Sequence, residues 1–139
     1  MMYADRYRRD DPDRKFLQSR EWREDIRPRQ LDREPLCRFC RAIGITKPAD
    51  QVDHIKRPRG DLRLQRDPSN FQCLCASHHT MKSVWERGNT KLPLVLGTTL
   101  DGWTVMATGG TIQTTEPAPA QPVPTFTSHK PSQKTFSEG

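Results

Sequence analysis

Two short spacings of soft metal donors constrain this chain more than any other feature. Cys37-Arg-Phe-Cys40 and Cys75-Ala-Ser-His78 each place two donors two residues apart. A disulfide framework is the other common use of four cysteines in a small chain. It belongs to exported domains, and the N-terminus MMYADRYRRDD has no apolar stretch of a secretory signal. In a reducing compartment, the expected location being the cytoplasm, the paired spacings read as the two halves of one structural zinc site. The composition explains why such a staple is needed. Only 32% of the 139 residues are hydrophobic, a thin core that metal ligation would reinforce. Cys73 is left over; its alternation with Cys75 points it to the opposite face of a strand, as a small core residue.

Mean hydropathy is −0.89, and no apolar run approaches the roughly 20 residues of a membrane helix. A membrane protein is excluded on these grounds, and a chain of 139 residues, with room for one modest domain plus extensions, excludes a large α/β enzyme. With 23 Lys and Arg against 17 Asp and Glu, the net charge of +6 favours an anionic partner such as nucleic acid.

Four segments separate by composition. Residues 1–34 form a charged N-terminal extension with helix signals: Asp11 before Pro12 suits a helix start, and Trp22 and Ile26 share one helical face. Pro28 is expected to end or kink that helix. Residues 35–91 hold every cysteine and most histidines. Residues 92–112 are β-branched around Asp101-Gly102, which predicts a β-hairpin extension. Residues 113–139, rich in Pro, Thr and Ser, read as a disordered tail. Within the central segment, Gln51-Val52-Asp53-His54-Ile55 and Phe71-Gln72-Cys73-Leu74-Cys75 read as strands, with a loop around Arg57-Pro58-Arg59-Gly60-Asp61 between them. Ser77 is placed to cap a following helix that stops near Gly88.

Successive helical residues point about 100° apart, so His78 and His79 suit different ions. His78 completes a Cys3His site with Cys37, Cys40 and Cys75. His79 then faces the strands, where Asp53 could share a second, hard cation. On a strand, Asp53 and His54 project to opposite faces unless a bulge or strand end re-aims one, and the sequence leaves that open. Taken singly, these residues are unremarkable. An Asp-His pair is a strand end, Asn70 after Pro68-Ser69 a turn residue, Lys82 a solvated side chain, and Arg57 and Arg59 loop charges. Their joint order is what points to chemistry.

That order, Cys37-x2-Cys40, Val52-Asp53-His54-Ile55, Asn70 and Cys75-x2-His78-His79-x2-Lys82, resembles the HNH endonuclease family of ββα-metal finger nucleases. Ser19-Arg20-Glu21-Trp22-Arg23 and Gly60-Asp61 resemble the small phage-encoded branch found beside packaging terminases. Two departures stand out: His78 occupies the usual place of a fourth cysteine, and Pro28 interrupts a helix that normally continues. The resemblance implies an α+β fold, a zinc-stapled ββα-metal finger, acting as a DNA endonuclease. It implies His54 as general base, Asn70 as the residue orienting the His54 loop, and Asp53 and His79 as ligands of a catalytic divalent cation (Mg2+, Mn2+ or Ni2+). Arg57, Arg59 and Lys82 are the expected DNA contacts, and a phage terminase is a further partner to consider. The competing reading is a non-catalytic zinc module that binds nucleic acid or protein, which would have no use for Asp53, His54, Asn70 and His79 together.

Overall fold

A computed structural model describes residues 11–88 and 90–116; the expected disordered tail lies, from residue 117 on, outside the described residues. Its elements in chain order are α1 (Arg14–Leu17), a π-helical turn (Glu21–Ile26), α2 (Arg27–Arg33), α3 (Arg38–Ala42), β1 (Gln51–His54), α4 (Leu62–Arg66), a 3-10 turn (Pro68–Asn70), β2 (Phe71–Leu74), α5 (Ala76–Arg87), β3 (Leu94–Thr98), β4 (Thr104–Thr108) and β5 (Thr111–Thr115). The fold is α+β. An antiparallel β1–β2 ribbon pairs Asp53 with Gln72 and His54 with Phe71, and α5 follows it. A three-stranded antiparallel sheet, β3-β4-β5, is the second sheet.

Hydrophobic packing falls into two clusters joined by the ribbon. The larger contains Cys37, Phe39, Cys40, Leu74, Cys75, Leu94, Leu96, Val105 and Ala107, so the metal-binding spacings and the three-stranded sheet share one core. The smaller contains Phe16, Trp22 and Phe71, with Ile26 and Val52 against it. β2 contributes to both because its ends reach different neighbours.

Several sequence expectations need adjustment. Pro28 does not end its helix. The chain stays helical through it, and Pro28 is the second residue of α2, which follows the π-helical turn directly. Proline lacks an N–H and collides with the carbonyl four residues back. Widening the preceding turn is one way a helix accommodates that clash. The first helix starts later than Pro12, with Asp13 at its N-cap position. In α5 the N-cap position belongs to Cys75, and Ser77 lies within the helix. Between the strands, the loop contains α4, whose N-cap Asp61 accepts N–H bonds from Arg63 and Leu64. The expected hairpin around Asp101-Gly102 is present but extends into a third strand, β5. Residues 113–115 therefore belong to a strand and not to the tail.

Candidate active site and metal centre

The two metal-binding spacings meet at buried positions. Cys37 closes the first turn of α3, where its sulfur accepts the N–H of Cys40; a bridge between Leu36 and Pro48 holds the loop behind it. Cys75 and His78 lie across the first turn of α5. The donor atoms of Cys37, Cys40, Cys75 and His78 all lie within 4.8 Å of one another. Cys40 Sγ stands 3.8 Å from Cys75 Sγ and 3.3 Å from His78 Nδ1. Metal–sulfur bonds of about 2.3 Å in a tetrahedron would separate two sulfurs by about 3.8 Å, so this cluster could hold a metal ion. The donor set suits a soft, four-coordinate cation.

The surroundings of the cluster support that use. His78 Nε2 lies 3.3 Å from the carbonyl of Leu96. Leu96 sits at the irregularity in β3 pairing between Val95 and Gly97. Gly97 has φ +152, and a Cβ there would meet Ile43 at 3.1 Å, so the irregular turn that presents this carbonyl needs glycine. Such an outer contact fixes the tautomer and leaves Nδ1 as donor to a metal. Burial, then the neighbouring Cys37 and Cys75 thiols, push the Cys40 thiol up to about 12. Cys73 is fully buried away from the cluster, its sulfur 3.5 Å from the carbonyl of Gln30.

At the other end of the ribbon, His54 and Asp53 occupy opposite faces of β1 yet line one cleft of about 260 Å³, together with His79, Arg57, Ser83 and Glu86. His54 is only 8% exposed. Its ring stacks on Trp22 at 5.3 Å and meets Phe71 edge-on at 5.4 Å. Nε2 lies 3.0 Å from the carbonyl of Gln65. A carbonyl only accepts, so this contact assigns the proton to Nε2 and the lone pair to Nδ1. Burial lowers the His54 pKa below 6.5, against the raising influence of the Gln65 carbonyl, Asp53 and Asp13. The ring is therefore neutral at neutral pH.

The Gln65 carbonyl is available because α4 ends there, and the last carbonyls of a helix lack intrahelical partners. Asn70 takes the neighbouring one: its Nδ2 donates to the carbonyls of Leu64 at 3.0 Å and Lys56 at 2.9 Å. Its Oδ1 accepts from the Lys56 N–H at 2.8 Å, and its own carbonyl accepts from Ile55 at 2.7 Å. Asn70 thus ties together both ends of the segment that follows His54.

Asp53 Oδ1 stands 3.7 Å from His79 Nε2, a separation that one cation can contact from both sides. The other oxygen, Oδ2, accepts from Gln72 Nε2 at 3.1 Å and pairs with Lys82 Nζ at 2.9 Å. Lys82 needs correction as a DNA contact. It is 2% exposed, and its ammonium also donates to the His54 carbonyl and to Glu86, each at 2.9 Å. Its position on α5 turns it onto the ribbon, where an unpaired buried charge would be costly. Burial raises the Glu86 pKa, opposed chiefly by Lys82. Arg57 lines the cleft from an exposed loop, 3.6 Å from Asp11, and Arg59 lies exposed on the same loop.

Gln65, Gln72 and Glu86 were not identified from sequence. Glu86 had an available signal, the i,i+4 spacing from Lys82. Gln65 contributes a backbone carbonyl to His54, which no side-chain pattern reveals.

A β-ribbon and a following helix, stapled by a Cys3His cluster and bearing Asp, His and His around one cleft, define the ββα-metal class of finger. No protein-family model and no curated protein matches the chain. Among solved structures it is similar to the HNH endonuclease of the deep-sea thermophilic bacteriophage GVE2, a crystal structure with manganese ion. Identity is 31% and the TM-score 0.51, covering 61% of this chain and 92% of that one. The chain belongs to the HNH endonuclease family.

Proposed function

We propose that the protein is a metal-dependent endonuclease that hydrolyses DNA phosphodiester bonds. The observation that carries this reading is the single cleft in which a neutral, carbonyl-anchored His54 stands beside the Asp53–His79 pair. Hydrolysis needs a base for the attacking water and stabilisation of charge on the phosphate and departing oxygen.

In this reading His54 Nδ1 takes the proton of the attacking water. The Gln65 carbonyl holds the ring, and Asn70 holds the segment supplying that carbonyl. Asp53 Oδ1 and His79 Nε2 would hold a divalent cation (Mg2+, Mn2+ or Ni2+), with Asp53 fixed through Oδ2 by Lys82 and Gln72. When bound, that cation supplies charge stabilisation at the phosphate. Cys37, Cys40, Cys75 and His78 would hold zinc, which supplies folding free energy. Arg57 and Arg59 are placed to meet backbone phosphates, and DNA phosphate would compete with Asp11 for Arg57. The manganese of the phage neighbour supports a hard cation here. Its viral source supports a phage origin and action in a bacterial host cytoplasm; a role beside a packaging terminase rests on the resemblance of Ser19-Arg20-Glu21-Trp22-Arg23 and Gly60-Asp61 to the phage-encoded branch. Among the described residues, no helix is long and apolar enough to cross a membrane.

The test is cleavage of plasmid DNA with Mg2+, Mn2+ or Ni2+. Wild type is expected to cut. His54→Ala is expected to keep its bound metal and helix content while losing roughly 10²-fold or more in rate. Failure of the wild-type protein to cut with all three cations would favour a non-catalytic zinc module instead.

A further inference from the structure

The N-terminal extension reaches into the catalytic loop through one buried carboxylate. Arg59 and Gly60 are consecutive residues at positive φ, 52° and 90°. This conformation turns successive N–H groups toward one point and forms a small anion-binding concavity. The anion that fills it is a side chain of the same protein. Asp13 Oδ2 accepts the Arg59 N–H at 2.9 Å, and Oδ1 accepts the Gly60 N–H at 2.8 Å. Asp13 Oδ1 also accepts from Gln65 Nε2 at 3.0 Å, and the carbonyl of that same Gln65 contacts His54 Nε2. Asp13 is 5% and Gln65 3% exposed.

Asp13 sits at the N-cap position of α1 but makes no capping hydrogen bond there. Its carboxylate is used on a loop more than forty residues away. The neighbouring chain fits closely as well: a Cβ on Gly60 would lie 3.1 Å from Pro12. A non-glycine residue such as Arg59 adopts left-handed backbone at a cost, and the two N–H bonds to Asp13 offset it.

We propose that Asp13 is a positioning residue for the His54 base. It clamps residues 59–60 and the Gln65 side chain together, so the end of α4 presents the Gln65 carbonyl to His54 Nε2 and Nδ1 stays directed for proton acceptance. The inference rests on the assignment of His54 as base. It makes the N-terminal extension part of the catalytic apparatus, which a finger cut at residue 35 would lack.

The test is steady-state DNA cleavage by the full chain with Mn2+. Asp13→Asn keeps the shape but removes the charge from the clamp. The turnover number is expected to fall about 10- to 100-fold, the scale of losing an outer hydrogen-bond partner of a functional histidine. KM for DNA and metal content should stay near wild type. In a His54→Ala background, Asp13→Asn should cause no further loss, because its route to the reaction has gone. Fully multiplicative losses would overturn the proposal, as would unchanged turnover in folded Asp13→Asn. If Asp13→Asn does not fold, Gln65→Met decides, since it cuts the side-chain link and leaves both backbone N–H bonds. About a 10-fold loss of turnover at constant KM supports the clamp, and full activity overturns it. A fully active His54→Ala would instead remove the base assignment, an outcome separate from any result at Asp13.

Discussion

The two packing regions at the ends of the β1–β2 ribbon are built on different principles. The region around Cys37, Cys40, Cys75 and His78 joins a donor cluster to aliphatic residues of β3 and β4. Among the described residues, the region around Phe16, Trp22 and Phe71 has three buried hydrophobics and is completed by polar contacts of Asp13, Gln65 and Asn70. The first suits a staple, where many atoms converge and nothing needs access. The second packs Phe16, Trp22 and Phe71 around the His54 ring and ties its Nε2 to the Gln65 carbonyl. A small protein can separate these tasks because metal ligation can supply the stability that a thin aromatic core does not.

The largest effect should come from the donor cluster. Cys75→Ala, or metal removal by a strong chelator, should unfold the whole protein, since structural zinc contributes on the order of 10 kcal/mol to small domains. Circular dichroism with metal analysis checks this. Retention of the aromatic region without metal would show that the two regions fold independently.

Next in size is Trp22→Ala, which removes the ring stacked on His54. A loss of about 3 kcal/mol is expected for a buried tryptophan. Metal content should stay complete while cleavage falls together with stability. Loss of metal in this variant would mean that the regions are energetically one.

A smaller effect follows from the lowered His54 pKa. The unfolded chain takes a proton at this position near pH 6.5 while the folded one resists it. Folding stability therefore declines as pH falls below about 6.5 and levels off beneath the folded-state pKa. Cleavage should follow the neutral ring, staying high at pH 7 and falling only on the acid side of 6.5. Thermal midpoints between pH 7 and 5 would check the stability part. The slope should be reduced in His54→Ala, and an equal slope there would assign it elsewhere.

The smallest effect is expected for Cys73→Ser. Its sulfur touches the Gln30 carbonyl and lies outside the donor cluster, so metal content should not change and the thermal midpoint should move by only a few degrees. Loss of metal would transfer this cysteine into the ligand set.

Legibility tracked how local the deciding physics is. The two-residue donor spacings, the alternating strand of Phe71 to Cys75, the turn at Asp101-Gly102 and the stop near Gly88 each depend on neighbours in sequence, and each has its counterpart in the structure. Pro28 does not end its helix, because the clash it causes can be relieved by widening the preceding helical turn, which propensity does not express. Lys82 was misjudged because an amino group reads as solvated until Asp53, Glu86 and the His54 carbonyl are seen around it. The strand β5 was missed because Thr111–Thr115 has no buried face; its place comes from pairing with β4.

What the sequence determined by itself was the inventory: four soft donors at matched spacings, an Asp-His pair at a strand end, and a histidine one position beyond a donor on a helix. Residue type and short-range spacing decide such features. Only the tertiary structure decided which way each group is held. Asp53 and His54 leave opposite faces of β1 and still share a cleft because α5 covers one face and the aromatic cluster the other. The proton on His54 is placed by a carbonyl at the end of α4, and α4 is held in turn by Asp13 of the N-terminal extension. Those contacts join residues far apart in the chain through backbone atoms that every residue possesses, so no pattern of side chains announces them.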